Sequence, residues 1–410
     1  MDARTSQSLG RNLNRIGPER KYLNRTGPER KKLNRNKTER ILNRGGEERR
    51  GAYGLPAKGA VYAPVFMNTQ EDFGAKVKKR WDAVAKPLDG LGRLERLVIK
   101  IGALTQTDEV KLTRRVVCVM CSDNGVVEEG VTQTDASVTA IQAENILHHR
   151  TSVCRMAAVA GADVFPVDMG MLVRVPGVDG PHIADGTGNI ARGPAMSREE
   201  CQAAVDYGKM LAGKYKQEGY DIIVTGEMGI GNTTTSSAVA SVLLSVPVES
   251  VTGRGAGLSD EGLAKKIRAV RHAIEVNKPD PADPMDVLAR LGGFDIAGMT
   301  GLFLGAYENR IPVVIDGLIS SIAALIAVRL CPEAASAMLP SHSSAEPAAE
   351  AILAEIGEPA LLYAGMKLGE GTGAVCMLPL LDMALSVYES GVGFTDTGLE
   401  PYTVQKGDRR

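Results

Sequence analysis

Asp221-Ile222-Ile223-Val224-Thr225-Gly226-Glu227-Met228-Gly229-Ile230-Gly231-Asn232-Thr233-Thr234 runs from an apolar segment into a glycine-rich turn. A short apolar run of this kind suits a strand buried on both faces of a parallel sheet. Residues 233–244, rich in Ala, Val, Ser and Leu, predict a helix packed on that sheet. Strand, glycine turn and helix together form the arrangement in which free backbone N–H groups and the helix dipole hold an anion. The spacing from Gly226 to Gly231 matches the first half of a P-loop, yet Asn232 stands where that loop's lysine belongs. Without the cation that reaches the β- and γ-phosphates, a nucleoside triphosphatase is disfavoured. A monophosphate asks for less.

The pattern recurs outward from this stretch. Apolar runs at 116–120, 164–167 and 313–315 are each followed by a glycine or an acid and then by a helical stretch. The fold class is therefore α/β: a doubly wound, mostly parallel sheet with ligand sites at the carboxyl ends of its strands. Helices near residues 73–105 and at the C-terminus are expected to form a small helical subdomain within a domain of residues 67–410.

Two further glycine segments carry chemistry. Gly253-Arg254-Gly255-Ala256-Gly257 leads into a helix start with Ser259 or Asp260 as N-cap, and Lys265 or Lys266 on that helix could close on a phosphate. Most single helix lysines are simply solvated. Gly369-Glu370-Gly371-Thr372-Gly373 sets one carboxylate among glycines, which let backbone approach a ligand closely. Held there, the carboxylate can accept a proton from a bound molecule. An ordinary turn with a solvated Glu reads the same on this segment alone.

Seven segments in order carry a family resemblance over residues 73–390. They are Lys86-Pro87-Leu88-Asp89-Gly90-Leu91-Gly92-Arg93-Leu94-Glu95, Asp123-Asn124-Gly125-Val126-Val127-Glu128-Glu129-Gly130-Val131, the Gly226 to Thr234 turn, the Gly253 to Lys266 segment, Pro312-Val313-Val314-Ile315-Asp316-Gly317, Ser341-His342-Ser343-Ser344-Ala345-Glu346-Pro347 and Leu368-Gly369-Glu370-Gly371-Thr372-Gly373-Ala374. Together they resemble nicotinate-nucleotide:dimethylbenzimidazole phosphoribosyltransferases, which make α-ribazole 5′-phosphate for the nucleotide loop of cobalamin. The resemblance implies Glu370 as general base and Glu227 as a second acid near the ribose. It implies phosphate and ribose contacts at Gly229, Gly231, Asn232, Thr233, Gly253, Gly255, Lys266 and Asp316, with Gln142 and Ser344 facing the aromatic base. It also implies a homodimer. The reaction asks for little more, because the leaving nicotinate departs as a neutral pyridine and one carboxylate suffices for the proton of the incoming benzimidazole. Two departures stand out: Asn124 where the family usually has His, and Ala348-Ala349 where it usually has Gly-His. They are expected to alter the aromatic pocket and to favour a base other than dimethylbenzimidazole.

Composition bounds the remainder. With 410 residues and 44% hydrophobic content, the chain can bury a full α/β core. Six cysteines and no secretory leader fit a reducing cytoplasm. Cys118 and Cys121 make a C-x-x-C, but inside an apolar run and with no second pair at metal spacing. The five histidines are scattered, so neither metal nor cofactor is expected. The long apolar stretch at 311–330 is broken by Pro312, Asp316, Gly317 and Arg329, so it reads as strand, turn and helix and not as a membrane span. No nucleic-acid or membrane partner is expected.

The N-terminus differs in kind. Leu13-Asn14-Arg15-Ile16-Gly17-Pro18-Glu19-Arg20 recurs as Leu23-Asn24-Arg25-Thr26-Gly27-Pro28-Glu29-Arg30, with weaker copies from Leu33 and Leu42. Residues 1–50 hold 15 Lys and Arg against 6 Asp and Glu, a balance of +9 within a chain whose net charge is −1. Residues 1–66 are therefore expected to be a disordered basic tail, or an untranslated stretch upstream of a start at Met67. Two functional alternatives stay open from sequence: a non-catalytic relative that binds a nucleotide or benzimidazole, and, less favoured, the P-loop-like triphosphatase.

Overall fold

The computed structural model describes residues 72–405, and the basic repeats of residues 1–66 lie outside them. Five strands, β1 (Arg115–Ser122), β2 (Ala162–Gly170), β3 (Ile222–Met228), β4 (Val313–Ile315) and β5 (Met338–Pro340), pair in the order β2-β1-β3-β4-β5. Every pairing is parallel. The chain steps one way from β1 to β2 and the other way from β1 to β3. The switch point between β1 and β3 is where such sheets open a crevice for ligands. The two edge strands each carry a proline, Pro166 and Pro340, where it is tolerated best.

Both faces of the sheet are covered. Along β1, Val116, Cys118 and Met120 enter one core while Val117, Val119 and Cys121 enter the other, as the two-residue period of a strand requires. Cys118 and Cys121 thus belong to opposite faces, both as free thiols, and burial pushes Cys118 up to about 12. Helices Arg198–Gln217, Asn232–Leu244, Phe294–Glu308 and Leu318–Leu330 build the first core. The Arg198–Gln217 helix starts in a Ser197/Glu200 capping box. It packs closely on Phe294–Glu308 through glycines: a Cβ on Gly305 would stand 2.6 Å from the Lys209 carbonyl oxygen.

The second face is covered by segments from both ends of the described chain. Helices Phe73–Ala83, Arg93–Thr105 and Leu378–Glu389 come together there, with the Trp81 and Tyr388 rings 5.1 Å apart and an antiparallel bridge from Val84 to Gly393. The 311–330 stretch resolves into β4, a turn and the buried Leu318–Leu330 helix. The stretch Thr372–Glu389 is long and apolar enough by composition to cross a membrane, yet Leu378, Leu381, Ala384 and Tyr388 pack it into the second core. β5 was not legible in advance: Met-Leu-Pro is too short to show a period.

Candidate active site

A cavity of about 270 Å³ lies among the three glycine segments and the 341–347 loop, at the carboxyl ends of β3 and β4. β3 delivers Gly226 and Glu227 to it. Gly226 lets the Glu370 loop lie against the strand, since a Cβ there would stand 2.5 Å from the Glu370 carbonyl oxygen. Gly231, at φ +96°, turns the chain into the helix Asn232–Leu244, a conformation few other residues hold without strain.

Glu227 is 8% exposed. Its Oε2 accepts from the Asn232 side-chain amide, which also donates to Asp295 Oδ2 at 2.9 Å. Burial pushes Glu227 up to about 8. The charges of Asp295, Asp316 and Glu370 add to that, and the Asn232 hydrogen bond opposes it. Asp295, fully buried in the first turn of Phe294–Glu308, is pushed up to about 6 by burial.

At the other end stands Lys266, from the helix Asp260–Asn277. Its side chain is buried, and its Nζ donates to Thr233 Oγ1 at 2.8 Å and to the Gly253 carbonyl at 3.1 Å. An ammonium has three hydrogens, so one remains for a ligand. Burial lowers Lys266 to about 8, with Glu346 opposing. Gly255 (φ +53°) donates its N–H to Glu346 Oε1 at 3.1 Å, and Glu346 leans over Gly253 so closely that a Cβ there would clash.

Glu370 completes the set. It sits at φ +60° between Gly369 at +88° and Gly371 at +93°. Burial raises its carboxyl and Asp316 adds to the effect, while the Val153 N–H and Thr151 hydroxyl oppose it. Asp316, at the end of β4, receives Gly371 N–H at 3.2 Å on Oδ2 and Ala374 N–H at 2.9 Å on Oδ1. It thereby clamps the Glu370 loop at the start of the short helix Thr372–Val375.

The cavity is thus lined by Lys266, with Glu346 beside it, and by the buried carboxyls Glu227, Asp316 and Glu370, and the comparisons agree on what such a chain is similar to. A family model described as phosphoribosyltransferase matches residues 67–399. The nicotinate-nucleotide–dimethylbenzimidazole phosphoribosyltransferase of Ruminiclostridium cellulolyticum is 44% identical over 329 residues, covering 80% of this chain and 94% of that one. The enzyme of the same name from Acetivibrio thermocellus is 43% identical over 331 residues, with the same coverage. Among solved structures, CobT from Thermus thermophilus superposes with a TM-score of 0.76 at 33% identity, covering 80% of this chain and 99% of that chain. The chain belongs to the nicotinate-nucleotide–dimethylbenzimidazole phosphoribosyltransferase family.

Within that family frame, the structure brings Gln142, Glu227, Gly229, Gly231, Asn232, Thr233, Gly255, Lys266, Asp316, Ser344 and Glu370 around one cavity. Gly253 stands behind it and supplies a carbonyl to Lys266. Two of these residues also bond within the protein. Asn232 spends both amide hydrogens on carboxyls and offers none to a phosphate. Asp316 accepts one backbone N–H of the Glu370 loop on each oxygen while still lining the cavity. Lys265, the other cation weighed on that helix, lies against Gly130 and outside the lining.

The two family departures also fall elsewhere. Asn124 lies behind the glycine turn, reaching the Ile230 carbonyl at 3.4 Å and crowding Gly229. Ala348 and Ala349 are buried at the start of the helix Ala349–Ile356, where Ala348 joins the first core. None of the three lines the cavity, so the expectation that they reshape the aromatic pocket has no support in the geometry. Two acids were missed. Glu346 sits in the Ser341–Pro347 segment that carried the resemblance, where its proximity to an acid-free glycine turn gave no cue. Asp295 opens an apolar helix and reads in sequence as an ordinary first-turn acid.

Proposed function

We propose that this protein transfers the phosphoribosyl group of nicotinate mononucleotide to 5,6-dimethylbenzimidazole or a related lower-ligand base, giving α-ribazole 5′-phosphate and nicotinate. The observation that carries this reading is the polarity of the cavity. The lining joins Lys266 and the backbone of two glycine turns with the raised carboxyls Glu227 and Glu370. The substrate has the complementary polarity: a phosphate dianion on C5′ and a pyridinium cation on C1′.

Lys266 and Thr233 hold the phosphate. The C1′–N bond to the pyridinium breaks with its electron pair going to the ring nitrogen, which leaves as neutral nicotinate. One benzimidazole nitrogen bonds to C1′. The proton on the other nitrogen, made acidic as positive charge moves into the ring, passes to Glu370. Burial raises the basicity of that carboxyl and suits it to the task. Asp316 keeps the loop in place, and Gln142 and Ser344 bound the space for the aromatic base. We further infer a cytoplasmic homodimer that acts without nucleic acid, membrane, metal or cofactor. The exposed Leu368, which lines the cavity beside Glu370, favours an apolar acceptor.

The test is mass spectrometry after incubation with nicotinate mononucleotide and a panel of benzimidazoles, purines and phenols. Formation of a ribazole phosphate is expected. Binding without any nucleoside product would instead support the non-catalytic alternative.

A further inference from the structure

Asp295 touches no part of the cavity, yet it is a fully buried carboxyl. Its Oδ1 has no hydrogen-bond partner, and neither has Asn124 Oδ1. Both crowd Gly293, where a Cβ would stand 2.5 Å from the first and 2.7 Å from the second. A buried carboxyl with one oxygen left unpartnered is costly, and an apolar residue of the same size would avoid that cost. Packing alone does not account for it.

The Asp295 carboxyl is held in part by the first-turn N–H groups of Asp295 and Ile296, and its Oδ2 reaches Asn232. That amide nitrogen carries two hydrogens; one goes to Asp295 Oδ2 and the other to Glu227 Oε2. With both hydrogens spent, the amide cannot rotate without breaking two bonds to carboxyls. Glu227 Oε2 is thereby fixed as an acceptor, which leaves Oε1, lying against Gly369, as the atom that can carry a proton.

Resting on the phosphoribosyl-transfer reading above, we propose that Asp295 is a positioning residue for Glu227. Through the shared Asn232 amide it fixes Glu227 Oε2 as an acceptor, and by its own charge it keeps a proton on Oε1, so that Glu227 donates a hydrogen bond to a ribose oxygen. Like charge on the far side of one amide opposes ionisation of Glu227. The groups facing Glu227 are Asp295 from the Phe294–Glu308 helix, Asp316 from the end of β4, Glu370 from its loop and Cys121 from β1; Asp123 in turn faces Asp295. The upward shift of Glu227 agrees with this arrangement.

The test titrates the full-length protein labelled with carboxyl-¹³C glutamate, with the Glu227 resonance identified by its loss in Glu227→Gln. Asp295→Asn keeps the shape, removes the charge, and is expected to lower the Glu227 midpoint by about one pH unit. Asn232→Ser removes the donor and is expected to raise it. Opposite movements are the signature, and a general loosening of the site would move both the same way. The pH profile of turnover should follow the midpoint in Asp295→Asn, and that effect should vanish in the Glu227→Gln background. An unmoved midpoint in Asn232→Ser, or shifts of one sign in both variants, overturns the proposal. Midpoints that move oppositely in a protein that turns over no base would uphold the Asp295 bridge and remove the transfer reading instead.

Discussion

The two ends of the cavity solve opposite problems. On the phosphate side, one lysine is stripped of water and left with a hydrogen to give; on the ribose side, Glu227, Asp316 and Glu370 line the cavity with Asp295 behind Glu227, all raised by burial. Each end is electrostatically costly by itself. Each is relieved by the part of the substrate it meets, because a dianion restores charge to the lysine and a cation at C1′ stabilises the carboxylates. Affinity at one end and chemistry at the other should therefore separate in mutants.

The largest effect belongs to the acid end. Glu370→Gln retains size and hydrogen bonding but cannot take the proton, so turnover should fall roughly 10²–10⁴-fold with little change in nucleotide binding. A variant turning over at the normal rate, beside a dead Glu227→Gln, would move the base to Glu227. Next comes the phosphate end. Lys266→Ala should raise the Michaelis constant for nicotinate mononucleotide by about 10–100-fold, the worth of a charged hydrogen bond, more than it lowers turnover. Nicotinate riboside should be nearly unaffected by the change. Because burial holds Lys266 at about 8, the normal protein should lose nucleotide affinity above pH 8, by at most about tenfold per pH unit. A flat profile would show that the lysine is not the phosphate ligand.

A smaller effect concerns stability. A carboxyl whose folded value is raised keeps its proton in the native state while the unfolded chain loses it, so its contribution falls as pH rises. For Glu227 that window runs from 4.5 to about 8. Glu227→Gln should therefore melt higher than the parent at pH 8 and show no such gain at pH 4.5. Equal differences at both values would mean that the shift is not expressed in folding. The smallest effect is expected from the basic repeats. A chain beginning at Met67, where the family match starts, should turn over as the full chain does; a large loss on removal would give the repeats a part in the reaction.

The parallel sheet was legible because its longer strands are continuous apolar runs that end in glycine or acid, and Glu227 follows one of them directly. Lys266 and Glu370 were legible through the motifs around them. The division of labour was not. That Asn232 serves two carboxyls, that Asp316 serves a loop and that Asn124 sits behind the glycine turn all depend on chains meeting from distant positions. No local pattern encodes such meetings. Asp295 shows the limit most clearly, since a helix-opening acid is usually a matter of the macrodipole and here it meets a second buried carboxyl across one amide.

The backbone at Glu370 bears on how this protein could change over time. A side chain held at φ +60° costs about 1 kcal/mol or more relative to glycine at the same place. Replacement by glycine would relax the loop, join Gly369 and Gly371 into a run of three glycines and make the fold more robust while abolishing proton transfer. Selection for thermal endurance alone, with no demand for product, should drift toward that change first. A descendant that had become a mere carrier of nucleotides would then be recognisable by its higher melting temperature as well as by its missing carboxylate.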